Sequence, residues 1–176
     1  MKVLVAAFAL ALAPVPPYPA QHAGTGAQRL VGGGLFAGTA FTARSAVVDY
    51  EIGASCCPAK QIGEVDVYVF EQPGVRCATL NEATHHRFFS YTVETDGRPV
   101  PIGEPVSAGH FQQASFNVVG LTTGFQAGIK VVFTRVDASP HGVWHGTIQV
   151  PRTTFAGKPY AYGGTFAAAW CGTKRL

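Results

Sequence analysis

Residues 42–52, TARSAVVDYEI, and residues 63–70, GEVDVYVF, decide how this chain folds. Successive side chains of an extended strand point to opposite faces. In the first stretch Ala46, Val48, Tyr50 and Ile52 therefore share one side, while Ser45, Asp49 and Glu51 share the other. The second stretch repeats the alternation with Val65, Val67 and Val69. β-Branched and aromatic residues at period two mark half-buried strands. Working outward, HHRFFSYTVET (85–95) puts Phe89, Tyr91 and Val93 inward and is followed by the turn dipeptide Asp96-Gly97. FQQASFNVVGL (111–121), IKVVFTRV (129–136), VWHGTIQV (143–150) and TFAAAW (165–170) read as further strands. Turns at roughly ten-residue spacing predict an all-β fold, a single antiparallel β-sandwich of about seven or eight strands. Only ATLNEATHHR (78–87) offers a short helical turn, and LVGGGLFAG (30–38) reads as a flexible leading segment or an edge strand with glycine bulges. Those glycines make no phosphate loop, because no helix and no lysine-serine or lysine-threonine pair follows them.

The start of the chain bears on its compartment. MKVLVAAFALALA (1–13) has one cation, Lys2, then an apolar run from Val3 to Ala13 that ends in small residues, with PVPPYP directly after it. That layout predicts a secretory signal peptide over residues 1–20, cut between 13 and 23, followed by one domain over 24–176. The run covers only about half of the roughly 20 residues a spanning helix needs. Export suits four cysteines, Cys56, Cys57, Cys77 and Cys171, as disulfide staples. Adjacent Cys56 and Cys57 point apart on an extended chain and reach Cys77 and Cys171 separately, or else Cys77 joins Cys171 and leaves a Cys56–Cys57 ring; spacing alone leaves both open. The net charge is +3, and charged residues are 13% of the chain and scattered, so no basic stripe points to nucleic acid or an anionic membrane.

Candidate chemistry is sparse. His141 and His145 in SPHGVWHG (139–146) lie four apart, but on a hairpin rather than a helix, about 13 Å from each other along the strand. They are expected on the solvent side, His145 with Thr147 and Gln149 and opposite Trp144 and Ile148, and not as a metal pair. His85 and His86 point to opposite faces, so at most one joins His145 or His110 in a cross-strand site, and His22 chelates copper only if the signal is cut just before it. No metal or cofactor is expected. Asp49 and Glu51 stand about 7 Å apart on one outward face, within the span of paired glycosidase carboxylates, but they read as a solvated, edge-protecting pair. No G-x-S-x-G elbow is present, and no catalytic residue is assigned. Binding falls instead to TTFAGKPYAYGG (153–164), a loop-like stretch where Phe155, Lys158, Tyr160 and Tyr162 form a candidate ligand surface; the same two tyrosines also suit the open end of a core.

The segments VDVYVFEQPGVRCATL (65–80) and GTFAAAWC (164–171) resemble exported bacterial β-sandwich proteins. The resemblance implies a sandwich with Cys77 bridged to Cys171; the Cys56–Cys57 pair is not part of the pattern, and no activity comes with it. Taken together, the expected function is a secreted, non-enzymatic binding or surface-interaction domain for an extracellular ligand or protein. The alternative is a secreted enzyme or metal-binding protein whose site is assembled across strands.

Overall fold

The computed structural model describes residues 31–52, 63–95, 100, 102–103, 105, 112–118, 121–125 and 129–175. Cys56, Cys57, residues 1–20 with their expected signal peptide, His22 and His110 lie outside the described residues. The strands are β1 (Val31–Phe36), β2 (Thr39–Thr42), β3 (Ser45–Ile52), β4 (Gly63–Phe70), β5 (Phe88–Glu94), β6 (Gln112–Val118), β7 (Leu121–Phe125), β8 (Lys130–Arg135), β9 (Val143–Phe155) and β10 (Lys158–Arg175). The one-turn helix α1 (Leu80–Ala83) falls within the stretch expected to hold the only helix, and a 3-10 turn (Cys77–Thr79) leads into it from one residue before that stretch.

All ten described strands belong to one curled, mixed sheet in the order β2-β1-β10-β3-β4-β5-β6-β7, with β9 also paired to β10 and β8 to β9. Two separate antiparallel layers were expected. The sheet is instead continuous, because the long strand β10 is shared. Its first part, through Ala169, runs antiparallel to β9, and β1 flanks its residues Ala161–Thr165 on the other side. Its last part, Ala169–Arg175, runs parallel to β3. Parallel partners cannot be joined by a tight turn, so no local turn signal marks this pairing. The shared strand defines two wings: β2-β1-β10-β9-β8, and the end of β10 with β3-β4-β5-β6-β7. β1 is an interior strand between β2 and β10, so its glycines do not mark an edge.

The inner faces of the wings meet in one core. Phe36, Phe41, Trp144, Ile148, Tyr160, Tyr162 and Phe166 from the first wing are buried with Val48, Tyr50, Val65, Val67, Phe89, Tyr91 and Val93 from the second. The Phe89 ring meets Phe41 edge-on at 5.0 Å and lies 5.5 Å from Tyr162, which joins the wings directly. Such pairs contribute about 0.5–1.5 kcal/mol beyond the burial of their area. Arg87, at the head of β5, fastens the β1–β2 hairpin: its guanidinium lies 4.8 Å from the Phe36 ring centre, donates to Thr39 Oγ1 and the Ala40 carbonyl, and pairs with Glu71 at 2.9 Å.

The second wing is covered on its outer face as well. Val75, Leu80 and Ala83 pack there against Val47, Phe70 and Phe88. A disulfide between Cys77 and Cys171, 94 residues apart in sequence, ties this cover to the end of β10.

Candidate functional site

Two places on the sheet gather side chains that local stabilisation alone does not explain. The first is on the outer face of the first wing. Register aligns Thr42, Gly33, Gly163, Gln149 and Lys130 in one row across β2, β1, β10, β9 and β8. Cross-strand partners share a face, and the residues beside them in the chain, Phe41, Tyr162, Ile148, Val150 and Val131, are buried on the other side. The row thus faces outward, with glycine at its second and third positions. The result is a trough of about 870 Å³ with a floor of peptide planes and a rim that includes Thr42 and Arg44.

The neighbouring glycines separate what the fold needs from what it leaves open. A Cβ on Gly164 would run into the Cα of Gly32 and the carbonyl of Val31, so the close approach of β10 to β1 requires glycine there. A Cβ on Gly163 would meet nothing within 4 Å, and its backbone is not left-handed. Gly163 therefore serves neither packing nor a turn, and its missing side chain is what opens the trough. Arg44 lines the trough and is exposed, and Lys130 is exposed farther along the same row, two strands beyond Gly163 with Gln149 between them. None of β1, β2, β8, β9 and β10 contains an aspartate or glutamate, so no strand carboxylate of this wing opposes those cations.

The second place is the outer face of β3–β4. Asp49 and Asp66 are direct cross-strand partners, and Glu51 and Glu64 are the next pair but one along the ladder. Carboxylate oxygens of Asp49, Glu51 and Asp66 come within 4.8 Å of one another, a spacing that can hold a metal ion. Asp49 is 0% exposed and Asp66 is 7% exposed. The expected solvated, edge-protecting pair is corrected for Asp49, which is fully buried on β3, an interior strand between β10 and β4. Desolvation pushes Asp66 up to about 7, opposed by a hydrogen bond donated by Thr92 Oγ1 and reinforced by the negative charges of Asp49, Glu51 and Glu64. Near neutrality a proton on Asp66 relieves this crowding of charge without any metal.

The residues expected to bind ligand are not brought together as a loop. TTFAGKPYAYGG is a hairpin in which β9 and β10 pair across the two-residue turn Ala156-Gly157. Tyr160 and Tyr162 point into the core and are almost fully buried, with Tyr162 pushed up to about 12 by desolvation. Phe155 and Lys158 stay at the exposed tip, paired across the turn. Trp144 is fully buried and stacks on Trp170 at 5.0 Å, as its inward position in β9 requires. His141 sits exposed in the β8–β9 turn with φ 66°. His145 departs from expectation: it is 7% exposed, flanked by Arg135 on β8 and Ala167 on β10. Burial, then the Arg135 charge, lowers its pKa and so favours the neutral imidazole.

The trough was missed because each glycine run, GGG at 32–34 and GG at 163–164, reads alone as a breaker. Its signal is the pair of runs together, since both sit in strand context and are brought side by side only by β1–β10 pairing. No protein-family model, curated protein or solved structure matches this chain. Among the described residues no helix is long and apolar enough to cross a membrane.

Proposed function

We propose that this chain is an exported, disulfide-bonded binding domain, with its two wings acting as the layers of a sandwich, that holds an extracellular ligand in the outer trough of the first wing. The observation that carries this reading is Gly163: an exposed strand position where a side chain would fit without strain is left empty, in the middle of a depression rimmed by exposed polar and cationic groups. Pockets that take ligands are commonly about 300–1,000 Å³ and largely pre-formed, and the trough's 870 Å³ falls in that range. Its floor stands on β1 and β10, interior strands whose backbone groups are engaged in the sheet, so the shape exists before any ligand arrives. The Cys77–Cys171 bridge suits an oxidising compartment, and the apolar leader suits export.

Amide chemical-shift mapping of the full chain against anionic, cationic and neutral ring-containing fragments tests the binding reading. Saturable shifts are expected at Gly33, Thr42, Gln149 and Gly163. Shifts confined to the outer face of β3–β4, or none that saturate, overturn it. Export is tested by N-terminal sequencing of chain recovered from the medium, which is expected to begin between Pro14 and Gly24; intact Met1 in a cytosolic fraction overturns that part.

A further inference from the structure

We infer that the trough takes an acidic polysaccharide, lying across the strands with its sugar rings on the glycine floor and its anionic groups toward Arg44 and Lys130. The inference rests on the binding reading above and goes beyond it by naming the chemistry of the occupant.

Three observations select that chemistry. The first is charge. Both cations are exposed, and the five strands of this wing carry no acidic residue. The carboxylates of the second wing stand on a different face, where Asp49 and Asp66 are buried. An anion at the trough therefore meets a positive field that no strand carboxylate of this wing neutralises.

The second is length. Arg44 follows β2, and Lys130 lies on β8, four strand spacings away, or about 19 Å at ~4.8 Å per spacing. One small anion reaches only one of the two cations; an oligomer that runs from the trough across Gln149 reaches both, and linking the two contacts raises affinity without any new interaction.

The third is the surface itself. Exposed side chains around the floor are Thr42, Gln149, Thr147 and Thr165, hydroxyls and an amide that exchange hydrogen bonds with sugar hydroxyls. No aromatic side chain stands in the row of the floor, and single-stranded nucleic acid binds by stacking its bases on such rings. A peptide that adds to a sheet needs an open strand edge, whereas β1 and β10 are paired on both sides at the floor. A flat floor without side chains instead admits the broad face of a sugar ring.

Titration at low salt tests the inference, with an oligomer of galacturonic acid, a sulfated glycan, a neutral dextran oligomer and polyglutamate of matched charge as probes. The uronate oligomer is expected to bind saturably, more tightly than the neutral glycan and polyglutamate, and to weaken as salt rises. Binding of the sulfated glycan also supports the inference, and the order of the two shows which anion is preferred. In the double variant Arg44→Gln/Lys130→Gln affinity is expected to fall about fivefold or more. In Gly163→Leu it is expected to disappear while the melting temperature stays unchanged, since a Cβ there meets no protein atom within 4 Å and the longer side chain projects into the trough. Polyglutamate binding as tightly as the uronate, with Gly163→Leu silent, reveals undirected charge attraction and overturns the inference. A neutral glycan binding as tightly in the trough overturns the acidic character and leaves the binding reading standing. If no probe shifts the trough amides and the fragment mapping also fails, both readings fall.

Discussion

The two wings of the sheet share one core and differ in what their outer faces do. β3, β4 and β5 carry Asp49, Glu51, Glu64, Asp66 and Glu94 and no lysine or arginine, and only the end of β10 brings Lys174 and Arg175 beside them; the strands of the first wing carry Lys130, Arg135, Arg152 and Lys158 and no acid. The outer face of the first wing meets solvent, with Thr147 and Gln149 exposed beside buried Ile148 and Val150. On β4 the exposure never rises past intermediate on either face. Alternation in sequence says that a strand has two faces. It does not say that the polar one is wet. Lys130, Arg152 and Lys158 thus stay hydrated, while Asp49 and Asp66 are enclosed and desolvation raises the pKa of Asp66.

The contrast can be broken first at the core the wings share. Trp144→Ala is expected to cost about 3–5 kcal/mol in urea denaturation, because the ring is fully buried against Phe133 and Trp170. A loss below about 1 kcal/mol would mean that the first wing does not depend on the common core.

The enclosed carboxylates come next. Asp66 titrates near 7 in the folded protein against an ordinary 3.8, so between those values the folded state holds a proton that the unfolded chain has released. Its contribution is fully present below about pH 4, fades as pH rises, and is gone above about pH 7, a change of at most about 4 kcal/mol. Stability measured from pH 4 to pH 8 is expected to fall, and Asp66→Asn is expected to flatten that fall; an unchanged slope in the variant places the proton elsewhere.

The cover of the second wing is sharpened by Cys171→Ser with Cys77→Ser. Opening a loop of 94 residues is expected to cost about 2–4 kcal/mol. The loss should be accompanied by faster amide exchange at Leu80 and Ala83, with β9 unaffected; equal loosening of both wings would show that the bridge supports the whole sheet.

The smallest effect comes from adjacent glycines in the first wing. Gly164→Ala is expected to cost about 1–3 kcal/mol, because its new methyl meets the backbone of β1. Gly163→Ala is expected to change stability by no more than about 0.5 kcal/mol. Equal costs would remove the argument that the trough floor is open by more than packing need.

Much of the architecture was legible because it rests on local pattern. Val65, Val67 and Val69, and Phe89, Tyr91 and Val93, face the core as their period-two spacing indicates. Trp144 is buried by the same rule, and the short helical turn lies where its one candidate stretch does. The binding surface was less legible. Tyr160 and Tyr162 belong to the core because β10 runs straight through a stretch whose Gly, Pro and Lys suggest a loop, leaving only Phe155 and Lys158 outside.

By itself the sequence determined that this chain is mostly strand and which side chains of each strand share a face, because both follow from backbone geometry repeated every two residues. Its resemblance to exported sandwich proteins also pointed to the Cys77–Cys171 bridge. Only the tertiary structure decided that β10 joins the two wings through a parallel partner more than a hundred residues away in the chain, that Asp49 is dry, and that Gly33 lies beside Gly163. Those are outcomes of long-range pairing, which no local window contains, and the candidate site is made of them.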